Sequence, residues 1–265
     1  VNKLPVLRIV GASYGFVLLN LRDFLRTAWL PFIALVVMLV IHGMPEHAPE
    51  TNGDQPPQLP GPDFLIALII FLIISVTVQV AWYRRVLLGP DGLASGFPLA
   101  LGRREGRFFM RMIGVLLLML MLLLFALSVL GGILPAESPG AITMGYTALA
   151  VILLGEYYIA SRLSLVLPAT TVDAGTSFGH AWRLGHDNGW RIVLVLLGVQ
   201  LPITLTWFAI QVPTVHTDTA LQYYAVGIAL NALGLLGYVL SATAMSLCFA
   251  QLGGLDGDET AGTFS

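Results

Sequence analysis

Residues 116–124 read LLLMLMLLL, nine apolar side chains in succession with no polar residue at any second position. A strand of a membrane barrel alternates lipid-facing apolar residues with polar ones, so the run belongs to a helix. Followed outward, the apolar block covers residues 108–134. That exceeds the roughly 20 residues a helix needs to cross about 30 Å of hydrocarbon. Five further blocks are predominantly apolar: 29–43, 63–83, 146–161, 192–212 and 223–247. The first is short unless residues 24–28 belong to it. The sequence therefore predicts an all-α, polytopic membrane protein with six transmembrane helices.

Composition agrees. Of 265 residues, 57% are hydrophobic and 11% charged, far below the roughly 25% charge of a soluble domain. A surface for water cannot be built from this, so the bilayer is the solvent. A formal net charge of −2 offers nothing to nucleic acid. The single cysteine, Cys248, excludes an internal disulfide and a thiolate cluster.

Charge is segregated along the chain. Lys3, Arg8, Arg22 and Arg26 precede the first block; Arg84, Arg85, Arg103, Arg104, Arg107 and Arg111 lie between or beside the second and third; Arg162, Arg183 and Arg191 separate the fourth and fifth. These are all 13 basic residues, and the three intervening loops, 44–62, 135–145 and 213–222, carry none. Short loops rich in Lys and Arg stay in the cytoplasm, so both termini are expected there, including a tail at 252–265.

A shift of about 81 residues brings the chain onto itself. Gly15-Phe16 meets Gly96-Phe97, and Phe97 meets Phe178; Arg22 pairs with Arg103 and Arg26 with Arg107. A second correspondence sets Gln79 and Arg85 opposite Glu156 and Arg162, six residues apart in both cases. The chain thus reads as one transmembrane domain, 1–265, of three repeated units at about 9–83, 91–161 and 172–251, each an interfacial helix followed by a transmembrane hairpin. Residues 96–111 and 177–191 mix Phe, Leu and Trp with Arg, which suits helices lying in the interface. Pro90 and Pro168 are expected to mark turns into the membrane plane.

Candidate chemistry is sparse. Glu156 lies inside the fourth block, where an ionisable group is expensive and points to ion or proton coupling unless it sits near the inner interface with its carboxylate in water or paired to an arginine such as Arg162. Gln79, Gln200 and Asn231 are the other strongly polar residues within blocks, suited to packing or to a transport pathway. His42, Glu46, His47 and Glu50 are competent ligands, but Pro45 and Pro49 spoil a regular face, and no metal or other cofactor is expected. Ser161, Ser164 and Asp173 form no nucleophile and base set.

The segment YYIASRLSLVLPATTVD at 157–173, followed by Ala181-Trp182-Arg183-Leu184 and Gly189-Trp190-Arg191, resembles the YciC-like bacterial inner-membrane proteins and the membrane domain fused to some glycerophosphodiester phosphodiesterases. The resemblance implies a compact six-helix module of the bacterial inner membrane, associated with lipid or envelope biology, and brings no catalytic residues.

The expectation is a non-catalytic integral membrane module that binds lipids, a partner membrane protein or a second copy of itself. Its contacts would be the interfacial Arg22, Arg26, Arg103, Arg104, Arg107, Arg162, Trp182, Arg183, Trp190 and Arg191. The alternative is a transporter of a small solute or lipid, with Gln79, Glu156, Gln200 and Asn231 along its pathway. A third reading would set His180, His186, Asp173 and Asp187 to work on a lipid headgroup.

Overall fold

The structure, a computed structural model, describes residues 3–42, 62–92, 102–133, 141–174, 177–211 and 219–253. Among them the chain is helical: α1 (Val6–Leu19), α2 (Leu21–His42), α3 (Pro62–Leu88), α4 (Arg103–Ile133), α5 (Ala141–Leu163), α6 (Val166–Thr171), α7 (Phe178–Leu184), α8 (Gly189–Gln211) and α9 (Ala220–Gln251). Six of these, α2, α3, α4, α5, α8 and α9, are long and apolar enough to cross a membrane. The chain is a multi-pass membrane protein.

The helices overrun the apolar blocks. α2 takes in residues 24–28 and starts at Leu21, and α4 starts at Arg103, five residues before its block. Arginine is a good helix former whose stem covers apolar surface while its head reaches polar surroundings, so it extends a span. Residues 103–111, expected within an interfacial elbow at 96–111, are therefore the opening turns of a spanning helix; residues 96–101 lie outside the described residues. Within 177–191, α7 is a separate α-helix, its N-terminus capped by Ser177, whose Oγ accepts from the His180 amide; a 3-10 turn at His186–Asn188 follows, and Trp190 and Arg191 already belong to α8.

The two prolines behave differently. Gly89, at φ +73°, ends α3 in the left-handed conformation that glycine adopts without strain, and Pro90 opens a single 3-10 turn. Pro168 instead lies inside α6. The turn comes earlier, where the Leu165 amide donates to the Arg162 carbonyl at 3.3 Å and the Leu167 amide to the Ser164 carbonyl at 3.0 Å. α6 is buried along most of its length, packed on α3, α4 and α9. Its Thr170 and Thr171 hydroxyls donate to the Val166 and Pro168 carbonyls, so their burial orphans no donor.

α1 uses Ile9, Ser13 and Val17, spaced four apart on one face, to pack on α8 and α9. Its entry is pinned to the start of α8: the Leu4 amide donates to Asn188 Oδ1 at 2.9 Å, and Arg191 donates to the Leu4 carbonyl at 2.7 Å. Tyr14 donates to the Val199 carbonyl at 2.8 Å. Its far end reaches α3, where Phe16 and, from α2, Phe24 meet the Trp82 ring edge-on at 6.1 and 6.2 Å. Trp82 Nε1 donates to Thr243 Oγ1 of α9 at 2.9 Å, so one side chain joins four helices.

The packed core occupies one end of the bundle. Val76, Val80, Trp82, Tyr83 and Val86 of α3 are buried there with Phe108 of α4, Ile192, Val195 and Val199 of α8, and the run Val239 to Phe249 of α9. Towards the other end large apolar side chains lie exposed on every span: Ile69 and Ile70, Leu117 and Met121, Met144 and Val151, Leu205 and Phe208, Leu221 and Ile228. An apolar surface of this extent is what hydrocarbon covers.

Candidate functional site at the arginine end

α3 and α5 finish, and α4 and α8 begin, at the end that holds the core, which is why arginines far apart in sequence gather there. They divide by what they touch.

Arg85, in the last turn of α3, ties α3 to the start of α2. It donates to Asp23 Oδ2 at 2.8 Å and to Asn20 Oδ1, and its guanidinium lies 5.6 Å from the centre of the Phe16 ring. Arg84 donates to the carbonyls of Gly92 at 3.3 Å and Thr171 at 3.1 Å, fixing the turn after α3 against α6.

Arg162 is 3% exposed, which corrects the expectation that it faces lipid or a partner at the interface. Its guanidinium stacks 3.6 Å from the centre of the Trp182 ring, donates to the Trp182 carbonyl and reaches Tyr158 Oη at 3.3 Å. Tyr158 in turn lies 4.8 Å from the Trp190 ring. Gly189 makes room: a Cβ there would lie 2.6 Å from the Tyr158 ring. The buried charge is held by π-faces and oxygens without a carboxylate, and its Nε has no partner among the described residues. Arginine, less strongly hydrated than lysine and planar, is the cation best suited to this.

The arginines of α4 face α6. Asp173, just past α6, accepts from Arg104 Nε at 3.0 Å and from Arg107. Hydrogen bonding from Arg104, with smaller contributions from its charge and from Arg107, holds the Asp173 carboxyl below its ordinary 3.8 against the opposing effect of burial. A depressed carboxyl stabilises the fold above its ordinary value, so this latch holds at neutral pH and weakens as pH falls below 3.8. Asp173 adopts φ +56°, a left-handed conformation that aspartate tolerates better than most residues. Arg111 donates to Thr170 Oγ1 at 2.6 Å. Beside these, Arg103, Gly106, Arg107, Met110 and Arg111 line an open groove of about 750 Å³.

Of the remaining expected contacts, Arg22, Arg26 and Arg183 are exposed, Trp190 is 54% exposed, and Trp182 and Arg191 are half-buried in the contacts described above. The candidate pathway residues fall on different helix contacts. Gln79 is buried and donates to Met112 Sδ of α4 at 3.7 Å; Gln200 donates to Ser241 Oγ at 2.7 Å and the Gly237 carbonyl at 3.2 Å, both on α9; Asn231 donates to Gly227 of its own helix at 2.9 Å. Glu156 is half-buried on α5, its Oε1 without a partner, and no arginine pairs with it among the described residues.

His186 Nδ1 lies 2.9 Å from Asp187 Oδ1 in an exposed pair, while Asp173 is taken by Arg104 and Arg107. Ser161 Oγ donates to the Tyr158 carbonyl. No group of three or more potential metal ligands occurs among the described residues, outside which Glu46, His47 and Glu50 lie. Asn20, Asp23, Tyr158 and Thr170 were not read from sequence as partners of arginines. The available signal was the placement of Asp23 and Asp173 within the arginine-bearing stretches.

Comparison of the chain with protein families, with curated proteins and with solved structures finds no match.

Proposed function

We propose that this chain is a non-catalytic membrane module that binds lipids, a partner membrane protein or a second copy of itself through its arginine end. The observation that carries the reading is the division of labour among its arginines. Arg84, Arg85, Arg162 and Arg191 are turned inward and fix helices to one another, whereas Arg22, Arg26, Arg103 and Arg183 stand exposed beside broad apolar surface, and Arg107 is exposed while also holding Asp173. Exposed cations at the edge of a lipid-covered surface recognise anionic headgroups or an acidic partner face. Purification from native membranes in mild detergent is expected to yield the protein with a stoichiometric protein or tightly held lipid. Recovery of bare, monodisperse chain overturns the reading.

The arginine end faces the cytoplasm in this proposal, and the membrane is the bacterial inner membrane, in keeping with the YciC-like resemblance. An alkaline phosphatase fused at residue 54 should be active and one fused at residue 183 inactive; the reverse pair of results inverts the topology. The three-unit repeat is supported by the corresponding Arg85 and Arg162. Each lies in the last turn of a returning span.

A further inference from the structure

We infer that the groove on the first turns of α4 is a binding site for the phosphate of an anionic phospholipid, with Arg103 and Arg107 as its principal contacts and the lipid's acyl chains lying along the same helix face. The inference rests on the lipid-binding reading above and narrows it to one site and one ligand chemistry.

Arg103, Arg107 and Arg111 recur every four residues and so share a face of α4, the outermost two about 12 Å apart along the axis. Like charges at this spacing repel and need a counter-anion. The protein supplies part of one. Glu105 accepts from the Gly102 amide at 2.9 Å, and Asp173 accepts from Arg104 and Arg107. Four arginines against these two carboxylates leave two positive charges uncompensated in this stretch among the described residues. Arg111 finds a neutral acceptor in Thr170, and Arg103 stands exposed at the groove's rim. A phosphate monoanion or dianion matches this charge, and its several oxygens suit converging guanidinium groups.

The continuation of the face explains why a lipid fits better than a free anion. Met110, in the groove, is 68% exposed, and along the same face follow Leu117, Leu118, Met121 and Phe125, all exposed. Phe178 of α7 lies 3.4 Å from where a Cβ on Gly114 would sit, an apolar wall directly below the arginines. The ten steps from Met110 to Leu120 rise about 15 Å, the depth of one leaflet's hydrocarbon. Basic turns followed on one face by apolar turns match a phosphate headgroup followed by its chains.

The test is native mass spectrometry of the full chain in detergent, titrated with phosphatidylglycerol, with phosphatidylcholine, and with phosphatidylglycerol in the presence of excess inorganic phosphate. Wild type should retain phosphatidylglycerol in preference to phosphatidylcholine, and inorganic phosphate should not displace it. Arg103→Gln combined with Arg107→Gln should weaken binding by about 10- to 30-fold, as expected for two cations near an anionic surface. Arg103→Gln alone, which touches no ion pair among the described residues, should weaken it about fivefold with the melting temperature unchanged. Lys3→Gln with Arg8→Gln, removing the same charge from another exposed place, should leave affinity unchanged. Equal losses in the two double variants overturn the site, and displacement by inorganic phosphate overturns the lipid as its source. Undiminished lipid binding in the Arg103 and Arg107 variant removes this site but leaves the broader lipid-binding reading standing; wild type that retains no lipid removes both.

Discussion

Trp82→Ala is expected to destabilise the fold by about 3–5 kcal/mol, the range for emptying a fully buried tryptophan site. Trp82 is 1% exposed and is the one residue on which Phe16 of α1, Phe24 of α2 and Thr243 of α9 converge. Truncation leaves both phenylalanines without the ring they meet edge-on and opens a cavity within the buried core. Trp82→Phe should cost less than about 2 kcal/mol, because it refills much of the volume and orphans no polar atom. Thr243 keeps a partner, its hydroxyl donating to the Val239 carbonyl at 2.8 Å. Loss of helical circular dichroism in a denaturing detergent titration measures both. If Trp82→Ala costs no more than Trp190→Ala, whose ring is 54% exposed, the convergence on Trp82 carries no special stability.

Arg162→Ala should release α7 from α5 at a cost of about 2–4 kcal/mol, the combined scale of a desolvated cation–π contact and a charge-assisted hydrogen bond. The loss is local: the Trp182 ring loses the guanidinium 3.6 Å away and its carbonyl loses a donor. Hydrogen exchange at amides of α7 (Phe178–Leu184) should rise before that of α9. Arg162→Lys separates charge from shape. Lysine keeps the positive charge but has no planar face to lay on an indole and is more strongly hydrated, so it should be nearly as damaging as alanine. A silent Arg162→Lys would mean that charge alone, without stacking, holds the two helices.

The spans were legible because hydrocarbon imposes length: no mixture of turns and loops explains LLLMLMLLL at 116–124. Their ends were less so. Arg103 and Arg104 mark the edge of an apolar block, yet they continue its helix, and hydropathy cannot tell a charged elbow from a charged first turn. α6 was hidden for a related reason, since Pro168 was expected to mark a turn into the membrane plane but lies inside a buried helix whose Thr170 and Thr171 hydroxyls are satisfied on its own carbonyls. Arg162 illustrates the limit at the site. Its sequence neighbourhood is that of an interfacial arginine; what buries it is a tryptophan 20 positions later, a relation that no local pattern contains. Glu156 stood out in the sequence as an ionisable residue within an apolar block, and the arginine offered as one possible partner, Arg162, is committed to Trp182 and Tyr158 instead.

The one-ended core has a mechanical consequence. Buried side chains concentrate where α3, α8 and α9 enclose Trp82, Ile192 and Phe249, whereas the distal parts of the spans meet at sparser contacts such as Leu39 of α2 against Gly227 of α9. The braced end should then hold its shape, while the distal parts of the spans, with fewer buried side chains, respond first to the thickness and chain order of the surrounding lipid.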